Sequence, residues 1–316
     1  MFKKRVPDDF YIKFINSDKI SYDCKDKKSD KNKCLLYYSY LKRNNLEIPF
    51  EVKKFYKRNL ISNILLLDYK NHLEDLLNKN DIKFFFYKGI YLLENIYDDI
   101  GIRYLGDIDI LIDKNDLHKL KEIFPNFSKT IDELIKDKYF HERYIPATYK
   151  NQKINIDIHK NIVSLNKYPV NPEIFFKENR NELQLLILLL EINSEFFNDD
   201  KRIIDVLFFS KKIKIDWDYF YSIVYEFKLE KVVYTTFAYI NKYFEKNFPL
   251  KENFYCDFIY KNIFTFKNKR KNQFFLFFYN FNNLGEFLKF LKSRIRYSLE
   301  KKELKEEIKK FWIEYE

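Results

Sequence analysis

The strongest constraint in this chain is a pair of short segments in which isoleucine alternates with polar residues, because that period commits each to a strand with one apolar and one polar face. The first is Gly106-Asp107-Ile108-Asp109-Ile110-Leu111-Ile112. Asp107 and Asp109 stand at i and i+2 and share a face, while Ile108, Ile110 and Ile112 fill the other. The second, Ile154-Asn155-Ile156-Asp157-Ile158-His159, places three isoleucines on one side and Asn155, Asp157 and His159 on the opposite side. Ionised carboxylates this close repel, and a chain keeps them where a proton or a cation stabilises the pair. Asp-x-Asp alone is also common on solvated strand edges and turns. With the two strands adjacent and their polar faces aligned, Asp107, Asp109 and Asp157 converge on one or two divalent ions, magnesium being the natural candidate for phosphoryl chemistry.

Upstream, Lys83-Phe84-Phe85-Phe86-Tyr87-Lys88-Gly89 reads as an apolar strand ending at Lys-Gly, with a helix following to about Tyr97. A glycine at that junction lets backbone N–H groups approach a phosphate, and Lys88 adds a cation. The plainer alternative is a helix N-terminal turn with a surface lysine. Arg103 either forks onto phosphate oxygens or makes a structural ion pair with an acid. His159 shares the face of Asp157 and either orients a metal-bound carboxylate, binds substrate, or is a satisfied buried histidine. His141 and Arg143, on a strand leading into a hairpin through Asn151-Gln152, suggest by their parity a substrate-facing pair. His72 and His118 lie on helix-like surfaces.

Taken together, Lys88-Gly89, Gly101-Ile102-Arg103, Gly106-Asp107-Ile108-Asp109-Ile110-Leu111 and Ile156-Asp157-Ile158-His159 resemble the uncharacterised nucleotidyltransferase family of the DNA polymerase β-like superfamily. The resemblance runs from about residue 35 to 245. It takes in Leu46-Glu47-Ile48-Pro49, Leu183 to Leu190, Arg202-Ile203-Ile204-Asp205-Val206 and Ile215-Asp216-Trp217-Asp218, with weaker similarity at Arg294-Ile295-Arg296-Tyr297. It implies an α+β fold with a mixed-sheet core, two Mg²⁺ ions, and transfer of a nucleoside monophosphate from an NTP to an acceptor with release of pyrophosphate. By position, Asp107 and Asp109 look like the acids that hold both metals. Asp157 looks like the one that completes the metal site facing the attacking hydroxyl, and Gly89 like the phosphate-cradling glycine. The superfamily usually follows that glycine with Ser, whereas here Ile90 stands, so triphosphate contacts fall to backbone N–H groups, Lys88 or Arg103.

The 316 residues, nearly half of them hydrophobic, suffice for a full core and exclude a disordered class. The expected organisation is a polar segment and helices over 1–80, a nucleotidyltransferase core over 81–165, and a helical domain over 166–316. Heavy use of Lys, Asn, Ile, Phe and Tyr is what an AT-rich genome produces, so the net charge of +11 is discounted, although it still favours polyanionic partners. Acceptors consistent with the resemblance are a small molecule, a protein hydroxyl or a tRNA 3′ end. A rival class is a retired scaffold acting as a basic nucleic-acid-binding or regulatory protein, and kinase-like phosphoryl transfer on the same metals is a third. Cys24, Cys34 and Cys256 lack metal-ligand spacing and are too few for a disulfide framework, which fits a reducing cytoplasm. The N-terminus lacks the apolar stretch of a secretory signal. The longest apolar run, Leu185 to Leu190, is far short of the ~20 residues a membrane helix needs and reads as a buried helix.

Overall fold

Hydrophobic periodicity builds a mixed α+β fold in which a small sheet is covered on both faces. The computed structural model describes residues 7–24, 30–136, 142–162, 170–178, 180–194, 197 and 199–250. Helices α1 (Asp9–Ile15), α2 (Lys31–Arg43) and α3 (Phe50–Lys79) precede β1 (Phe84–Phe86), α4 (Lys88–Asn95) and β2 (Ile108–Ile112). After α5 (Leu120–Ile123) and α6 (Ser128–Lys136) come β3 (Glu142–Tyr149) and β4 (Gln152–His159). The described chain then continues through α7 (Glu173–Lys177), α8 (Asn181–Ser194), α9 (Asp200–Lys212), α10 (Trp217–Glu226) and α11 (Glu230–Phe244). The part of the expected helical domain beyond residue 250 lies outside the described residues.

The strand order is β1-β2-β4-β3. Strand β1 runs antiparallel to β2, with Phe85 opposite Leu111. Strands β2 and β4 are parallel, pairing Ile108 with Ile156, Asp109 with Asp157 and Leu111 with His159. A parallel pair needs a crossover, and the residues between β2 and β4, including α5, α6 and the outer strand β3, supply it. The β3–β4 hairpin closes through Lys150 and Asn151, both left-handed at φ 48° and 61°. Two left-handed residues in a two-residue loop match the twist of the flanking strands. The turn thus falls one residue before the expected Asn151-Gln152.

One face of the sheet is apolar apart from Arg143 on the outer strand. Ile108, Ile110, Ile112, Ile154, Ile156 and Ile158 pack there with Leu66, Leu73 and Leu77 of α3, Ile90 and Leu93 of α4, and Leu134 of α6. The other face contributes Phe85, Tyr87 and Leu111 to a second cluster, which joins α1 and α2 to helices α8 through α11. At its centre α8 buries every residue from Glu182 to Asn193, as its unbroken apolar run required. Among the described residues no helix is long and apolar enough to cross a membrane. Asp216 caps α10, its carboxylate accepting from the Tyr219 N–H at 3.1 Å, as the Asp-Trp-Asp sequence predicts. Cys24 and Cys34 form a disulfide, Cα atoms 5.7 Å apart, where the sequence suggested no such pairing. It links the extended segment after α1 to the first turn of α2.

Helix α3 does more than pack. Of its buried positions, Val52, Asn59, Asn63, Leu66, Lys70, Leu73 and Leu77 recur at spacings of three, four or seven along one face of the helix, with Tyr69 beside them. Two of them are asparagines one turn apart. Asn59 Nδ2 donates to the carbonyls of Gly101 and Arg103, both at 2.9 Å, and Asn63 Nδ2 to those of Ile100 at 2.5 Å and Arg103 at 2.8 Å. These bonds hold the loop that leads into β2. Gly101 in that loop lies so close to the Tyr56 ring that a Cβ would strike it. Because Asn63 is fully buried, Asn63→Ala should lower stability by about 1–3 kcal/mol in urea denaturation, through a carbonyl left without a donor. An unchanged midpoint would show that the loop does not depend on this clamp.

Candidate active site

The parallel register decides where the acids meet. Side chains directly paired across neighbouring strands share a face, so Asp109 and Asp157 stand side by side, and His159 lies two residues further along β4 on the same face. His159 Nε2 lies 3.1 Å from Asp109 Oδ1 and 3.4 Å from Asp157 Oδ2. Ligand atoms of Asp109, Asp157 and His159 all fall within 4.8 Å of one another, a group able to hold a metal ion. Asp107 is outside that tight group. It precedes β2 on the same side, and burial followed by the charges of Asp109 and Asp157 raises its pKa.

Cations balance this negative charge. Lys88 Nζ donates to Asp109 Oδ1 at 2.9 Å and lies 3.7 Å from Glu191 Oε1. Burial works against that ammonium, but Asp109 and Glu191 outweigh it and hold the Lys88 pKa well above its ordinary value. Burial works against the Asp109 carboxylate too, and there Lys88 and the His159 contact prevail, holding it well below the usual range. Burial and Lys88 disfavour the His159 cation, yet its bonds to Asp109 and Asp157 push its pKa up to about 9. Glu191, which the sequence reading missed, is buried on α8 and ion-paired with Arg202 of α9. Its signal was one acid inside the apolar run Leu183 to Ile192. The Tyr87 hydroxyl is fully buried with no partner among the described residues, and its ring meets His159 edge-on at 5.4 Å.

The Lys88-Gly89 junction has a different logic from the one expected. Among the described residues no glycine has positive φ; the left-handed residue is Lys88, at φ 55°. That conformation costs a side-chain-bearing residue roughly 1–2 kcal/mol, and the ion pairs with Asp109 and Glu191 offset it. Gly89 is needed for close packing, since a Cβ there would strike Leu105 and come within 2.8 Å of Arg103 Nη1. Of the two alternatives for Arg103, the structure shows the ion pair. Its Nε and Nη2 donate to the two oxygens of Asp205 at 2.9 and 2.8 Å, and the Tyr97 hydroxyl donates to Asp205 at 2.7 Å. His141 lies outside the described residues. Arg143 pairs with Ile158 and therefore faces the apolar side, near Glu133 at 3.9 Å, which corrects the expected substrate-facing parity. A two-residue turn pairs odd positions with even ones, so Tyr144, opposite Asp157, shares the acid face instead. Half of Tyr144 is exposed.

Helix α9 brings a further group that the sequence reading passed over. Lys201 stands one helical turn before Asp205, and its charge reaches both Asp205 and Asp107. Burial, then the neighbouring Arg103, bring its pKa down to about 8.

A mixed four-stranded sheet presenting acids from adjacent strands, flanked by helices on both faces, fits the polymerase β-like core. The sequence profile described as uncharacterised nucleotidyltransferase matches residues 34–245, well over half of the chain, and the chain belongs to that family. No curated protein and no solved structure matches it. Membership implies a nucleotide substrate and, in general terms, nucleotidyl transfer.

Two measurements check this geometry. Asp205→Asn should destabilise the fold by about 3–5 kcal/mol in denaturant unfolding, because it strands the buried Arg103 cation. The double variant Arg103→Met/Asp205→Leu should lose less, and a double loss equal to or above the single would contradict the account. In metal-free protein His159 holds its proton to about pH 9, against about 6.5 when unfolded. Its stabilising contribution is then full below about pH 6.5 and disappears as pH rises through about 9. His159→Gln should flatten the thermal stability profile across that window; an unaltered profile would show that the pair contributes nothing.

Proposed function

We propose that this chain transfers a nucleoside monophosphate from an NTP to a hydroxyl acceptor and releases pyrophosphate, with Asp107, Asp109 and Asp157 as the magnesium-binding acids. The observation that carries the reading is the parallel pairing of Asp109 with Asp157, with Asp107 close enough on the same side for their charges to raise its pKa. The donor set fits a hard divalent cation: the carboxylates of Asp109 and Asp157 with the His159 imidazole beside them, and the Asp107 carboxylate near enough to feel their charge. The Tyr87 hydroxyl, without a partner among the described residues, marks further polar capacity on a ring that meets His159. Lys88 is compatible with a bound ion, because its flexible stem can withdraw the ammonium from Asp109 toward Glu191, already 3.7 Å away. When bound, magnesium ions neutralise charge at the α-phosphate and lower the pKa of the acceptor hydroxyl.

The residues of the chain then supply position. Asp157, whose side chain is 21% exposed against 10% for Asp109, lies on the open side, where the acceptor enters. The acceptor oxygen bonds to the α-phosphorus while its proton passes to solvent water, and the bond from the α-phosphorus to the α–β bridging oxygen breaks, that oxygen leaving with pyrophosphate. His159 holds Asp109 and Asp157 in place through Nε2. The first-turn amides of α4 have no side-chain cap and are available to phosphate oxygens. Tyr144 offers an exposed ring beside Asp157 for the acceptor, which is a small molecule, a protein hydroxyl or a tRNA end.

A second reading has an observation of its own. Lys88 and His159 already neutralise Asp109 and Asp157 without any metal, as they would in a retired scaffold that binds nucleic acid or regulates a partner. Incubation with α- or γ-labelled NTPs and a cell extract separates the readings. Nucleotidyl transfer moves α-label into an RNA, protein or small-molecule fraction; a kinase moves γ-label; the retired scaffold moves neither. Asp107→Asn should lower α-label transfer by at least ~100-fold, about 2.7 kcal/mol of barrier, with folding intact. Wild-type turnover in that variant would remove Asp107 from the reaction.

A further inference from the structure

The cations that the sequence offered for the triphosphate are committed elsewhere. Lys88 is bonded to Asp109, and two of the three Arg103 guanidinium nitrogens are bonded to Asp205. Arg202 is paired with Glu191. Lys201 differs from all three. It is half-buried, and its ammonium makes no hydrogen bond or ion pair among the described residues. Its backbone N–H donates to the Asp199 carboxylate at 3.0 Å. Helix geometry puts it on the Asp205 face of α9, one turn nearer the N-terminus, so the Arg103–Asp205 pair holds it on the site side of that helix. There its charge acts on Asp107.

A cation kept partly out of water beside two arginines, without an anion of its own, is destabilising unless a ligand supplies the anion. The structure assigns that ligand: we propose that Lys201 binds the polyphosphate of the nucleotide, opposite the acids that engage its α-phosphate side. This rests on the nucleotidyl-transfer reading above and adds the residue that distinguishes a triphosphate from shorter nucleotides. The lowered pKa of Lys201, about 8, agrees with an ammonium waiting for a counter-charge. An anion at this position returns it to the fully protonated form.

The test uses the full chain with Mg²⁺ and compares, by calorimetry, each of the four NTPs, the matching nucleoside monophosphate, and inorganic tripolyphosphate. Lys201→Met should weaken NTP and tripolyphosphate by ~10- to 100-fold, the value of one charge-assisted hydrogen bond, while monophosphate binding stays within about twofold. Lys201→Arg should recover most of the NTP affinity. The ligand-free Lys201→Met protein should melt at or above the wild-type temperature, since an unpaired buried charge has been removed; a lysine with a merely structural role would give a lower melting temperature. Wild-type NTP affinity in Lys201→Met, or equal weakening of NTP and monophosphate, overturns the assignment while leaving nucleotidyl transfer standing. A wild-type chain that binds none of the four NTPs overturns both.

Discussion

The parallel pairing of β2 with β4 sets Asp109 beside Asp157 on one face, and the negative charge this brings into the interior organises the structure around it. Carboxylates so placed are tolerable only with compensating cations. Lys88 meets Asp109 from a strained left-handed position, His159 bridges Asp109 and Asp157, and Glu191 with Arg202 completes the ring of charge behind Lys88. The site is therefore balanced at rest but not saturated. Asp107 is still pushed toward its neutral form, and the Tyr87 hydroxyl has no partner among the described residues. The divalent cation proposed above answers the first.

Helix α9 joins this centre to the helical half of the chain. Asp205 receives the Arg103 fork, Arg202 holds Glu191, and Lys201, whose ammonium has no hydrogen bond or ion pair among the described residues, stands one turn before Asp205. One helix thus fixes the loop before β2, braces the cation that serves Asp109, and carries a third positive group whose charge reaches Asp107. On the opposite side Asn59 and Asn63 of α3 grip the same loop through its carbonyls. Gly89 lets α4 come down onto Arg103 and Leu105, so that the start of α4, Lys88 and the acids share one small volume.

Much of this was legible locally. A period of two is readable residue by residue, so Asp107, Asp109, Asp157 and His159 could be assigned to common faces, and the family profile over 34–245 agrees with the motifs that suggested it. The buried α8 and the Asp216 cap followed from patterns a few residues long. What escaped depends on partners distant in sequence. Asp205 lies 102 residues beyond Arg103, and nothing near either shows that they meet. Glu191 is hidden in an apolar run and acquires meaning only when Lys88 arrives from another element. The role of Gly89 also changed, from freedom of φ to lack of bulk, because the left-handed position fell on Lys88. Arg143 was placed on the wrong face because the hairpin pairs odd positions with even ones. The Cys24–Cys34 link depends on how α2 lies against the segment before it, which spacing alone does not disclose.

The central claim is that three acids on one face of the sheet form a divalent-metal site. Electron paramagnetic resonance with Mn²⁺ as a magnesium substitute, in the presence of an NTP, tests it most directly. The account predicts a protein-bound manganese signal in the wild-type chain that is lost in both Asp109→Asn and Asp157→Asn while the fold persists. Manganese that stays free with the wild-type chain, or stays bound equally well in both variants, would contradict it.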